Sequence, residues 1–356
     1  LGSRSTAIGV GALLRQNFTS ATDVYNVAMG HNAGENVTTG VENTLIGGLV
    51  ADALTTSSRN TAIGYAALSA EVQGQYNTAI GYAALLAQTN SSSTDVYNTA
   101  VGYAAGAAVT TGTLNPLVGG LTGDALTTGA DNTALGMAAL GNDTKGNKAV
   151  AIGEGALHNQ NFTTSTDNYN VAVGFDAGND ITTGTLNTFV GGLSGDVNTT
   201  GTANNAFGYD ALGANTTGGE NNAFGRNALG ANNANGNSAF GHRALQANTS
   251  GTSNVGVGHS ALTANTTASN NVAVGHSAGA AITTGDQNTV VGTFALDAAT
   301  TAANNVAVGY LAGSAITEGD QNILIGALAG DALTDADYNV ALGHTALSAD
   351  TLGSAP

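Results

Sequence analysis

The sequence predicts an all-β, parallel β-solenoid of about twenty 17-residue rungs, and three observations predict it. A phrase of the form N-T-A-I-G-Y-A-A-L, seen at 77–85, returns as NTALGMAAL from 132, NNAFGYDAL from 204 and NVALGHTAL from 339. Its glycine recurs with a step that is 17 residues in most cases. Each place in the step keeps its own residue chemistry, which marks stacked copies of one supersecondary unit.

The rung begins at asparagine. Four residues before the marker glycine stands Asn in 18 of 20 units, Ser5 and Ala149 being the exceptions, so Asn77, Asn98 and Asn271 are members of one column. Stacked Asn side chains can satisfy one another and the turn backbone. The next three residues are a mostly β-branched one, usually Ala, and one that is apolar in every unit, as in Thr78-Ala79-Ile80. This is β-prone and too short for an ordinary helix. Gly81, Gly102 and Gly275 then mark the turn, followed by Ala three residues on in 17 of 20 units, and by Thr-Thr-Gly or a relative of it. Gly supplies positive φ and Asn tolerates it, so these segments read as turns between two short strands. The A-A-L segment also suits one helical turn of a leucine-rich-repeat type, but the period is below the ~20–29 residues of those repeats. At roughly 4.8 Å per rung, twenty rungs make a rod of about 95 Å.

The step has structure of its own. Three steps are 21 residues (9→30, 81→102 and 153→174) and one is 16 (225→241). The long steps recur every 72 residues, making residues 1–225 a region of four-rung super-repeats and 226–356 a region of plain rungs within one continuous solenoid. The long rungs carry related inserts, QNFTSATDVYN, QTNSSSTDVYN and QNFTTSTDNYN, and the rung after each carries LIGGL, LVGGL or FVGGL.

Strand side chains alternate, so Thr78 and Ile80 point one way and Asn77, Ala79 and Gly81 the other. Charges are almost absent from all these places. Both faces therefore read as buried, one inside the coil and the other against a close partner, the simplest being another copy of the chain.

The phrase N-T-A-I-G at 77–81, with V-A-V-G at 171–174 and 272–275, resembles the N-S-V-A-I-G repeat of trimeric autotransporter adhesin heads. It also resembles the N-T-A-I-G-Y-x-A-L repeats of phage and large-virus tail-fibre proteins. The resemblance covers nearly the whole chain and implies a left-handed β-roll with three chains side by side, on a virion or a cell surface. By that analogy Ile80 and its equivalents fill the coil, and Ala79 and its equivalents approach the trimer axis. The adhesin repeats are usually shorter than 17 residues, and no neck, stalk, membrane anchor or chaperone sequence is recognised here.

Composition narrows the function. Seven cations against 24 carboxylates cannot supply the basic stripe that nucleic acid needs. The absence of cysteine excludes disulfides, zinc–thiolate sites and thiol catalysis. No apolar run approaches the ~20 residues of a membrane span, so no membrane insertion is expected. Nor is a cofactor expected, and Ser, Thr, His and Asp form no catalytic grouping. The nine N-x-S/T sequons match what so much Asn, Ser and Thr produces by chance.

The candidate contact face is the place after the marker glycine, which holds Tyr65, Tyr82, Tyr103, Tyr209 and Tyr310, and the run His242, His259, His276. Its variability reads as a solvent or groove face for sugar or protein rather than a metal site. The inserts at 16–26, 88–98 and 160–170 are candidate contact loops through Phe18, Asp23, Tyr25, Asp95, Tyr97, Phe162, Asp167 and Tyr169, because loops on a rigid scaffold commonly carry recognition. Ice binding is disfavoured because adjacent threonines point to opposite faces. The expected role is a non-enzymatic, homotrimeric fibre segment giving reach, rigidity and attachment. A self-assembling extracellular filament subunit is the competitor, since the uncapped ends invite stacking, and a glycan- or ice-binding solenoid comes third.

Overall fold

The computed structural model describes residues 2–351. It is an all-β parallel solenoid of about twenty turns, with no helix among the described residues. The chain divides into two compact units, Leu1–Thr183 and Gly184–Pro356.

Within the first unit, three-residue strands from Thr6–Ile8 to Val171–Val173 pair in parallel and in register, Thr61, Ala62 and Ile63 lying against Thr78, Ala79 and Ile80. The register survives the insert at 88–98, since Thr78 faces Thr99 across it. Strands Thr188–Val190 to Val340–Leu342 build the second unit the same way. Each plain rung has one strand rather than the two expected. A second short parallel pair forms only at the inserts, where Thr22–Asp23, Thr94–Asp95 and Thr166–Asp167 add to Gly2–Ser3, Gly74–Gln75 and Gly146–Asn147. The A-A-L segment is a run of tight turns, with Ala84 N–H donating to Gly81 O and left-handed φ of 55° at Ala83 and 50° at Leu85.

The two strand faces are the reverse of what the resemblance implies. Ala79 is fully buried inside the coil, whereas Thr78 and Ile80 face outward and are half-buried. In 11 of the 20 rungs the interior is already filled by a leucine four residues after the marker glycine, such as Leu68 and Leu85, both fully buried. Beside such a leucine the strand centre is Ala or Gly in every rung but one, where Val290 lies with Leu296. Where the strand centre is large, the leucine is lost: Leu45 comes with Ala51, Leu117 with Gly123, Phe189 with Gly195 and Leu324 with Gly330. A methyl at Gly195 would lie 2.6 Å from the Phe189 ring, and one at Gly123 would lie 3.0 Å from Leu117 Cδ2. In five other rungs an alanine strand centre goes with Gly34, Gly106, Gly178, Gly279 or Gly313. There the large core residue is the one seven places after the marker glycine, the fully buried Val37, Val109, Ile181, Ile282 or Ile316, so three places of the rung share the filling of the core.

The marker glycine is required twice over. Gly136 has φ +138°, a region L side chains rarely adopt, and a Cβ there would sit 2.4 Å from the carbonyl oxygen of Gly153 on the next rung. The glycine of Thr-Thr-Gly has a different reason from the one expected. Gly112 does not have positive φ; its Cβ would meet the Gly129 carbonyl oxygen at 2.2 Å, so close stacking is what excludes a side chain. In the second unit Ala234, Ala268, Ala302 and Ala336 take this place, never in two successive rungs.

Candidate functional site

The asparagine column is a buried ladder. Asn254 accepts the Asn271 N–H on Oδ1 at 3.0 Å, and its Nδ2 donates to Ala268 O at 2.8 Å and Asn237 Oδ1 at 3.1 Å. Each side chain therefore satisfies backbone groups that turns leave unpaired inside the coil. From Asn187 to Asn339 the second unit repeats this without a gap, through the 16-residue step as well, where Asn237 N–H reaches Asn221 Oδ1 at 3.0 Å.

In the first unit the inserts interrupt the ladder. Asn77 Oδ1 is buried without a partner, and Asn98 turns away to Gln88 Oε1 at 2.8 Å. Gln88 in turn donates to Glu71 Oε2 at 2.9 Å, and Glu71 Oε1 accepts the N–H groups of Gly74 and Asn90. The next insert repeats the relay as Asp143, Gln160 and Asn170, with Gln160 Nε2 on Asp143 Oδ2 at 2.7 Å and Asn170 Nδ2 on Gln160 Oε1 at 2.8 Å. Burial raises the Asp143 pKa, opposed by hydrogen bonds from Gln160, Phe162 and Gly146. The relay was not read from the sequence; its signal is the glutamine opening each insert, with an acid 17 residues earlier for the second and third.

A second buried ladder, also unread, uses the place seven residues after the marker glycine. Asn215 Nδ2 donates to Asn198 Oδ1 at 3.1 Å, Asn248 to Asn232 at 2.7 Å and Asn265 to Asn248 at 2.8 Å. Asn198, Asn215, Asn248 and Asn265 are sequons, yet all are fully buried, so folding removes them from glycosylation.

The candidate contact face stands outside, as stacks at rung spacing. Tyr65 and Tyr82 stack at 5.7 Å between centroids, Tyr82 and Tyr103 at 5.5 Å. His242 and His259 follow at 5.0 Å, and His259 and His276 at 5.1 Å. The three tyrosines are each half or more exposed, as are Tyr209 and Tyr310. Gly48 and Gly120 occupy the same column on either side of the tyrosine stack, and a Cβ at Gly120 would meet nothing within 4 Å. Histidine stacking places His242 Nδ1 3.3 Å from His259 Nε2. Among the described residues no three His, Asp or Glu side chains gather as a metal set.

The insert residues divide. Phe18 and Phe162 are buried, a correction to their reading as contact residues: the rings seal the added loop onto the core. Tyr25, Tyr97 and Tyr169 are about half exposed, and Asp23, Asp95 and Asp167 are exposed beside them. Cations of the preceding rung hold two of these pairs. Arg4 meets Asp23 at 3.0 Å and lies over the Tyr25 ring, and Lys148 meets Asp167 at 2.5 Å and lies over Tyr169. The ion pair and the Tyr169 hydroxyl raise the Lys148 pKa, and the same pair lowers that of Asp167. At the middle insert Tyr76 replaces the cation and stacks on Tyr97 at 4.9 Å.

The Thr-Thr-Gly segment presents a face the adjacent-threonine reading missed. Thr199 hydroxyl donates to Thr216 O on the next rung at 3.0 Å, while Thr200 is exposed, Gly201 buried and Thr202 exposed again. Thr200 and Thr202 line a depression of about 260 Å³ with Thr217, Gly219, Glu220 and Asn235.

The fold and these surfaces define a β-solenoid repeat protein. No protein-family model and no curated protein sequence matches the chain.

Proposed function

We propose that the chain is a non-enzymatic fibre segment, a left-handed homotrimeric β-roll outside the cell, on a virion or a cell surface, that supplies reach, rigidity and attachment. The observation that carries this reading is the outward strand face. None of the forty residues three places and one place before the marker glycines is charged, and all twenty at the latter place are apolar. In the second unit Val272, Val274, Val291, Ile323 and Ile325 are each more than a third exposed on that face. Phe207, Phe224 and Phe240 stack along it at 4.7 Å and 4.9 Å. A contiguous apolar strip of this kind is what a packed interface needs. In this reading the interface lies on the β-branched row, since the alanine row is inside each coil.

Sedimentation equilibrium of the full chain tests this. The expected mass is three times the 34.7 kDa of one chain, falling towards one chain for Val274→Lys with Val291→Lys while the β-sheet circular dichroism persists. A wild-type monomer overturns the trimer, and open-ended polymers favour the filament subunit. The alternating exposed pairs Thr200/Thr202 and Ser250/Thr252, with the half-buried Ser269 beside exposed Thr267, support a second reading, an ice-binding face; thermal hysteresis that is lost on replacing these residues with Lys is its test.

A further inference from the structure

In the first unit, Arg4, Arg59 and Lys148 are each paired with a carboxylate, Asp23, Glu42 and Asp167. The second unit has only two cations, Arg226 and Arg243, among eleven carboxylates. Arg15 and Lys145 of the first unit are in no ion pair among the described residues either, but they stand far apart along the chain. Arg226 and Arg243 sit on successive rungs, with Arg243 N–H donating to Arg226 O at 3.1 Å, and neither is in an ion pair among the described residues.

Their Nε atoms are held by neutral amides. Arg226 Nε donates to Asn227 Oδ1 at 3.1 Å and Arg243 Nε to Gln246 Oε1 at 2.7 Å. The carboxylate nearest in charge, Asp210, is taken by Asn227 Nδ2 at 2.5 Å. Each guanidinium is thus held through Nε, and both arginines are exposed. Together with Asn227, His242 and Gln246 they line a depression of about 440 Å³. Arg226 and Arg243 thus border one depression from successive rungs, and two cations there can meet different oxygens of a single oxyanion.

We propose that Arg226, Arg243 and His242 form a binding site for an isolated oxyanion carried on a glycan, a sulfate ester or a sugar carboxylate, with the His259 and His276 rings extending the contact along the column. The eleven carboxylates of the unit argue against a dense polyphosphate such as nucleic acid, whose successive charges would be repelled beyond the two arginines. This names the ligand class for the attachment role proposed above, but it does not require three chains.

His242 gives the site a pH dependence. Burial, then His259, Arg226 and Arg243, hold its pKa below the ordinary 6.5, and Asp210 faces Arg226 from the preceding rung. A bound anion offsets that repulsion, so the proton returns with the ligand and binding tightens as pH falls.

The test titrates the full chain at low salt with inorganic sulfate, a monosulfated disaccharide, sialyllactose and neutral lactose, at pH 5.5 and 7.5, following the histidine ring resonances. Binding of the charged probes but not lactose is expected, severalfold tighter at pH 5.5. Whichever charged sugar binds best separates the sulfate ester from the carboxylate. Arg226→Gln with Arg243→Gln should weaken binding at least tenfold, and His242→Gln should flatten the pH dependence while leaving binding at pH 7.5. All three positions are at the surface, and circular dichroism checks the fold of each variant. The site is overturned if no charged probe binds a folded wild-type chain at pH 5.5, or if the double variant binds unchanged. Sedimentation of the same samples keeps the two proposals apart: a trimer that binds no anion sinks only the site, and a monomer that binds one sinks only the trimer.

Discussion

The two units share a backbone ladder and differ in what fills it. In the second, asparagine after asparagine hands its Oδ1 to the next rung's N–H from Asn187 to Asn339. In the first, the same hand-over stops at Asn77, and Gln88 with Glu71 closes the gap. The strands do not notice: Thr78 still pairs with Thr99. Backbone pairing needs only that the strands stay in register, whereas a side-chain ladder also needs each rung to enter its strand along the same path. An insert changes the path and leaves the register alone. A one-residue deletion acts more locally. Across the 16-residue step both ladders continue, through Asn237 to Asn221 and through Asn248 to Asn232, and the second breaks one rung earlier, where Asn215 Oδ1 has no partner.

The largest expected effect tests what the units share. Gly136→Ala in the first and Gly225→Ala in the second should each cost about 3–5 kcal/mol, from backbone strain plus a methyl driven into the next rung's carbonyl. Hydrogen exchange of the neighbouring rungs reads this locally, as suits a linear repeat protein. A cost under about 1 kcal/mol in either unit would remove stacking as the reason for the glycine column.

Next comes what they do not share. Asn254→Ala strands the buried Asn271 N–H and removes two further hydrogen bonds, to Ala268 O and Asn237 Oδ1, and should cost about 2–4 kcal/mol. Asn77→Ala removes an acceptor that nothing uses and should cost about half as much or less. Equal losses in urea unfolding would erase the distinction between an intact and a broken ladder.

A smaller effect is the pH response of the relay. Burial holds the Asp143 pKa above 3.8. The folded state therefore keeps that proton more tightly than the unfolded chain. The stability it contributes is complete below 3.8 and is lost as pH rises through the folded value. Asp143→Asn should flatten this part of the stability–pH curve, as at the equivalent Asn215 and Asn248 of the second unit, where nothing titrates. An unchanged curve would show that Asp143 stays ionised throughout.

The smallest effect separates the two glycines of LVGGL. Gly119 has φ +139° and faces the Gly136 carbonyl, whereas Gly120 does not have positive φ and has open space above it. Gly120→Tyr should fold normally, stack on Tyr103 and change stability by no more than the ~1 kcal/mol of an exposed aromatic pair. A strongly destabilised variant would mean that the gap beside the tyrosine stack is structural.

The sequence by itself determined the solenoid, the period, the inserts and the columns. It could do so because every rung meets its neighbour in register, so one column holds one kind of residue and repetition makes the pattern plain. The stacking of Tyr65, Tyr82 and Tyr103 was legible for the same reason. Only the tertiary structure decided which strand face is inside. Alternation fixes that Ala79 and Ile80 oppose each other, but the choice between them depends on Leu85, which arrives from a turn and occupies the interior first. Phe18 and Phe162 could be placed in loops but not turned inward, and Gln88 could not be seen bridging Glu71 to Asn98, because these contacts link different corners of neighbouring rungs. The free arginines were hidden for a related reason: whether Arg226 meets a carboxylate depends on Asn227 having already engaged Asp210, an arrangement of side chains in space that no column of letters records.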